Sequence, residues 1–148
     1  MRIYLVIWIY IAFTTAAASV NATPTLSVDT PFAVQSGNVN FTVTGEPGAV
    51  YILLTAQAPG LIPLGNTGTL YLSPGSISVA ANGVIGPGGT ATAPVAFTGT
   101  TDQFWYTQAM VIEQTGNRLS NSITARIVST LPAGPRETLA VAVTPDGA

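Results

Sequence analysis

Apolar and polar residues alternate in short runs along most of this chain, and glycine, proline and asparagine cut each run before a helical period can build. Leu26 and Val28 alternate with Ser27 and Asp29, and Val39, Phe41 and Val43 alternate with Asn38, Asn40, Thr42 and Thr44. A period of two sends successive side chains to opposite faces, so both segments read as half-buried strands with one wet face. After a turn at Glu46, Pro47 and Gly48, residues 49–55 are apolar on both faces, which predicts a central strand covered twice. Residues 57–68 read as a long loop, followed by strands at 69–73 and 77–81. Asn82 and Gly83 predict a hairpin turn, since both central positions of such a turn favour positive φ. Within the strand at 90–97, Pro94 predicts an edge position or a bulge, because proline has no amide hydrogen for the ladder. Residues 103–113 form the strongest strand, turned at Thr115, Gly116 and Asn117 into another over 122–128. Seven or eight evenly spaced strands with no helix predict an all-β, antiparallel sandwich, with a closed barrel as the competing architecture.

The two ends follow other rules. Arg2 precedes an unbroken apolar run over 3–13, and residues 14–22 turn small and polar, which predicts a signal-peptide helix over 1–22. Val20 and Ala22 fit cleavage before Thr23, with a second site after Ala18; the competing reading is an uncleaved anchor, since 3–20 carries no charge. At the other end, Pro132, Gly134 and Pro135 mark a linker, and residues 138–144 alternate Leu139, Val141 and Val143 with small side chains. The chain therefore divides into a signal at 1–22, a sandwich domain at 23–131, and a linker with one extra strand at 132–148.

Composition removes most chemistry. The chain has no cysteine, histidine or lysine, which excludes Ser-His and Cys-His nucleophiles, lysine Schiff bases, imidazole or thiolate metal sites and a lysine-bearing phosphate loop. Without cysteine there are no disulfides, so an exported domain of this size depends on its core. After cleavage, three arginines face six acids for a net charge of −3, too little basic surface to neutralise nucleic-acid phosphates. Paired carboxylates are the one catalytic device left, and Asp29, Glu46, Asp102, Glu113, Glu137 and Asp146 lie in separate segments, where they read as solubilising charges. No two acids are closer than nine positions, so no calcium loop is signalled. No cofactor and no metal is expected, and the chain reads as non-enzymatic. Sequons at Asn21 and Asn40 add nothing specific.

Two resemblances refine the fold. Asp102, Tyr106 and Gln108 resemble the immunoglobulin F-strand pattern, with Gln108 at the cysteine position and Tyr106 at the tyrosine corner, which implies an immunoglobulin-like sandwich without its inter-sheet disulfide. Over about 45–128, the order Pro47-Gly48-Ala49, Leu64-Gly65, Gly68-Thr69-Leu70, Leu72, Pro74, Gly88-Gly89-Thr90-Ala91, Tyr106, Gln108-Ala109, Val111 and Leu119-Ser120-Asn121 resembles a family of secreted bacterial sandwich domains, with Glu113 in place of its usual aspartate. The family is itself uncharacterised; the resemblance implies export and a sandwich, and no activity.

Three groups of residues are candidates for contact. Alternation sends Trp105 to the face opposite Phe104 and Tyr106, where it either fills the core or forms, with Tyr51 or Tyr71, a platform on which a sugar stacks. Leu61, Ile62 and Leu64 in the 57–68 segment either plug one end of the sandwich or form a partner-binding patch. Leu139, Val141 and Val143 form a strand that either folds onto its own sheet or is donated to the open edge of another copy. The resulting expectation is an exported, non-catalytic module with a structural, adhesive or self-assembly role at the cell exterior, or alternatively a carbohydrate-binding module. Its partners would be itself, another surface protein or a glycan, with no nucleic acid and no stable membrane span after signal cleavage.

Overall fold

The computed structural model describes residues 22–34 and 37–129. The expected signal helix, and the strand carrying Leu139, Val141 and Val143, lie outside the described residues. The alternating segments become β1 (Thr25–Val28), β2 (Phe32–Val34), β3 (Asn38–Thr44), β4 (Val50–Ala56), β5 (Pro59–Pro63), β6 (Thr69–Leu72), β7 (Ser78–Val84), β8 (Thr90–Ala96), β9 (Phe104–Glu113) and β10 (Gly116–Val128). A 3-10 turn over Gly65–Thr67 joins β5 to β6.

The strands form two packed sheets and a separate hairpin. One sheet has the order β1-β3-β8, the other β2-β10-β9-β4-β7, and β5 pairs with β6 alone. All pairings are antiparallel except β2 with β10, which run parallel. This is an open antiparallel sandwich, as the strand pattern predicts, and its two sheets are not closed into a barrel. Among the described residues the strand count is ten where seven or eight are expected. The additions are β2, too short to show a period, and β5, within the segment read as a loop.

The main core lies between the sheets. Val39, Phe41 and Val43 of β3 and Ala93 and Val95 of β8 meet Tyr51 and Leu53 of β4, Ala109 and Val111 of β9, and Ala125 and Ile127 of β10. Phe97 stands edge-on to Phe41 at 6.0 Å and lies 5.3 Å from the Trp105 ring. Aromatic contacts of this kind add about 0.5–1.5 kcal/mol beyond area burial. Pro94 sits where its missing amide hydrogen predicts, on the edge strand β8.

The turn expected at Asn82 and Gly83 is not formed; both lie inside β7, paired with Ile52 and Tyr51. The reason is tertiary. A Cβ on Gly83 would stand 2.9 Å from Cε1 and the hydroxyl oxygen of Tyr51, so glycine here makes room for that ring. The turn between β9 and β10 likewise falls at Gln114 and Thr115, slightly earlier than expected. Residues 49–55 are central, between β9 and β7, but only their C-terminal part is covered on both faces: Leu54 lies under the hairpin while Val50 is exposed.

Candidate functional site

Alternation along β9 decides what lies on each face of the five-stranded sheet. Trp105, Thr107, Ala109 and Val111 point between the sheets, and Phe104, Tyr106, Gln108, Met110 and Ile112 point outward. The outward face is not simply wet. The β5-β6 hairpin folds over it, and Leu70, Leu72 and Ile62 pack there against Ala56, Leu54, Tyr106, Met110 and Leu119 as a second apolar cluster.

Gln108 holds this third layer in place. It is only 1% exposed, and its carboxamide accepts from Tyr71 N at 2.9 Å while donating to Thr69 O at 3.2 Å and Ser120 O at 2.8 Å. A buried amide is tolerated only when its hydrogen-bonding groups are met, and here they clamp hairpin, β9 and β10 together. Opposite Ala109, β10 carries two residues, Ser120 and Asn121, which is a bulge. Ser120 Oγ accepts from Ala109 N at 2.9 Å and donates to Asn121 O at 2.8 Å. The Asn121 side chain reaches β1, accepting from Leu26 N at 2.8 Å and donating to Leu26 O at 2.9 Å. Gln108, Ser120 and Asn121 thus tie the hairpin, β9, β10 and β1 to one another.

The immunoglobulin pattern is displaced by one residue. In that pattern the cysteine position faces the other sheet. Here Gln108 and Tyr106 face the hairpin instead, and among the described residues no backbone group accepts the Tyr106 hydroxyl as a tyrosine corner would require.

Beside the hairpin the covering is incomplete and leaves a groove of about 480 Å³, lined by Pro59, Gly60, Leu61, Tyr71, Tyr106, Ser122 and Thr124. Leu61 stands at its rim, 73% exposed, because β5 bulges against β6 between Pro59 and Ile62. Gly60 is obligatory in that bulge: a Cβ would meet the Leu72 carbonyl oxygen at 2.7 Å. Farther along β10, Arg126 pairs with Asp102 at 2.5 Å and lies over the Phe104 ring at 5.8 Å.

The expected contact residues are thus separated. Leu61 lines the groove, Ile62 packs into the second cluster, and Leu64 is exposed at the 3-10 turn. Trp105 is half-buried against Phe97 on the inter-sheet face with Tyr51, so neither shares a surface with Tyr71. Tyr106, Ser122 and Thr124 complete the groove without having been singled out as contacts. A glutamine two positions after a tyrosine, on the same face of a strongly apolar strand, was the signal available for a covered outer face.

Among the described residues the carboxylates are dispersed. Asp29 binds Asn40 at 2.8 Å, Asp102 binds Arg126, and Glu113 lies 3.8 Å from Arg118. Glu113 departs from the surface-charge expectation, since its side chain is buried, with Oε2 lacking a hydrogen-bond partner among the described residues. No cluster of three metal-binding side chains occurs among the described residues. No helix among them is long and apolar enough to cross a membrane.

No family model matches the chain, and no curated protein matches it. Among solved structures, the PmoD soluble domain from Methylocystis sp. ATCC 49242 (Rockwell) is similar at 10% identity and a TM-score of 0.40, over 70% of this chain and 90% of that one. A superposition of that quality carries no functional argument.

Proposed function

We propose that this chain is an exported, non-catalytic β-sandwich module with a structural or adhesive role at the cell exterior, joined to its neighbours by strand addition at the free edge of β7. The contrast between sheet edges carries the reading. The edge of β8 contains Pro94, that of β1 has its Leu26 amide and carbonyl occupied by Asn121, and β2 is only three residues long. These are ordinary protections against unwanted pairing. The edge of β7 has seven residues, no proline and no charge, and its Val79 and Val84 are 59% and 60% exposed.

Val84 also completes an exposed aliphatic row with Val50 and Ile112, which pair in register across β7, β4 and β9. An added strand would extend that row by one step, and the alternation of Leu139, Val141 and Val143 suits such a donor. A donor from the next copy makes a head-to-tail contact that does not close, which builds a filament.

The test is size exclusion with light scattering on residues 23–148, beside a chain ending at Pro132 and a full-length Val79→Lys variant. Concentration-dependent association of the parent alone supports the reading. A monomeric parent, or association that survives both changes, refutes it.

A further inference from the structure

Independently of that assembly, we propose that the groove between the β5-β6 hairpin and the outer face of β9 and β10 is a binding site for an uncharged saccharide. Its volume of about 480 Å³ falls in the range of small-molecule sites, roughly 300–1,000 Å³.

The lining is of two kinds. Tyr71, Tyr106, Pro59 and Leu61 offer aromatic and aliphatic surface, and Ser122 and Thr124 offer hydroxyls along β10. A pyranose ring has the matching division, with C–H bonds on its faces and hydroxyls around its rim. Tyrosine serves both halves, since its ring is apolar and its phenol donates and accepts.

Charge narrows the ligand further. The seven lining residues include no aspartate, glutamate or arginine. The nearest guanidinium along β10, that of Arg126, is already neutralised by Asp102. An ionic ligand would lose hydration here and gain no counter-charge, whereas an uncharged polyol loses less.

The site is also built. The bulge that needs Gly60 throws Leu61 outward over the groove, and an aliphatic side chain held 73% exposed contributes almost nothing to the core. Bulges re-aim side chains in this way at binding sites. Gln108 meanwhile fixes Tyr71 through its backbone amide, so one wall is set before a ligand arrives.

The test is a two-dimensional NMR titration of residues 23–148 with cellohexaose, mannohexaose and the N-acetylglucosamine hexamer. Hexagalacturonate serves as the charged comparison, and a peptide of residues 129–137 as the proline-rich one. The expected result is saturable shifts at Gly60, Leu61, Tyr71 and Thr124 with at least one uncharged oligosaccharide. Leu61→Ser and Tyr71→Ala should each weaken that binding about tenfold, the loss of one buried apolar contact, in spectra that otherwise match the parent. Trp105→Phe should bind as the parent does. Absence of shifts with all three uncharged oligosaccharides overturns the proposal, as do shifts mapping elsewhere or binding only to hexagalacturonate or the peptide.

Discussion

Gln108 accepts a hydrogen bond from the backbone amide of Tyr71 at 2.9 Å, so one side chain from the middle of β9 holds a hairpin that is covalently attached elsewhere. The same carboxamide donates to Thr69 O and Ser120 O. Replacing Gln108 with alanine leaves these three backbone groups unpaired and opens a void beneath the hairpin. The expected cost is about 2–4 kcal/mol, read as a lower urea midpoint with an unchanged slope. A loss below about 1 kcal/mol would mean that the hairpin is held by its apolar contacts alone.

Asn121 joins the two sheets through the amide and carbonyl of Leu26. Asn121→Ala should release the outer edge of β1 from β10 while leaving its pairing with β3, and the five-stranded sheet, intact. Hydrogen exchange is the direct measurement. The Leu26 amide should lose most of its protection, and amides of β4 and β9 should keep theirs.

Gly83 lies under the Tyr51 ring with no room for a methyl group. Gly83→Ala should destabilise by about 1–3 kcal/mol, the usual range for an overpacked site. Tyr51→Leu in the same chain should recover part of that loss. A double-mutant cycle with additive effects would show that the ring is not what requires glycine.

Trp105 distinguishes packing from hydrogen bonding. Its ring packs against Phe97, but Nε1 is buried with no partner among the described residues. Trp105→Phe removes an unpaired polar atom and should stay within about 1 kcal/mol of the parent. Trp105→Ala should cost about 2–4 kcal/mol, because it empties the space beside Phe97. Thermal unfolding of the two variants side by side gives the comparison.

Much of the fold is legible in the order of residues alone. The period of two in β3 names its buried set of Val39, Phe41 and Val43, because a pleated strand has only two faces and one of them must be dry. Pro94 announces its edge by the hydrogen it lacks, and the absent cysteine, histidine and lysine remove whole classes of chemistry without reference to geometry. Consecutive Phe104, Trp105 and Tyr106 already require that Trp105 face away from its neighbours. Which face is the core is another matter, since local alternation is unchanged when the whole pattern slips by one.

Tertiary structure alone decided that. Gln108 and Tyr106 face outward because a hairpin from between β4 and β7 covers the outer sheet face, and its first strand, β5, lies in a segment whose glycines and prolines look like a loop, although β6 is legible as a strand. Asn82-Gly83 reads as a turn by local preference, but the pairing of β4 with β7 and the bulk of Tyr51 outweigh that preference and keep the strand running through it. The groove beside Tyr71 and Tyr106 is likewise a product of long-range packing. Its residues come from β5, β6, β9 and β10, and no local pattern shows that these strands meet.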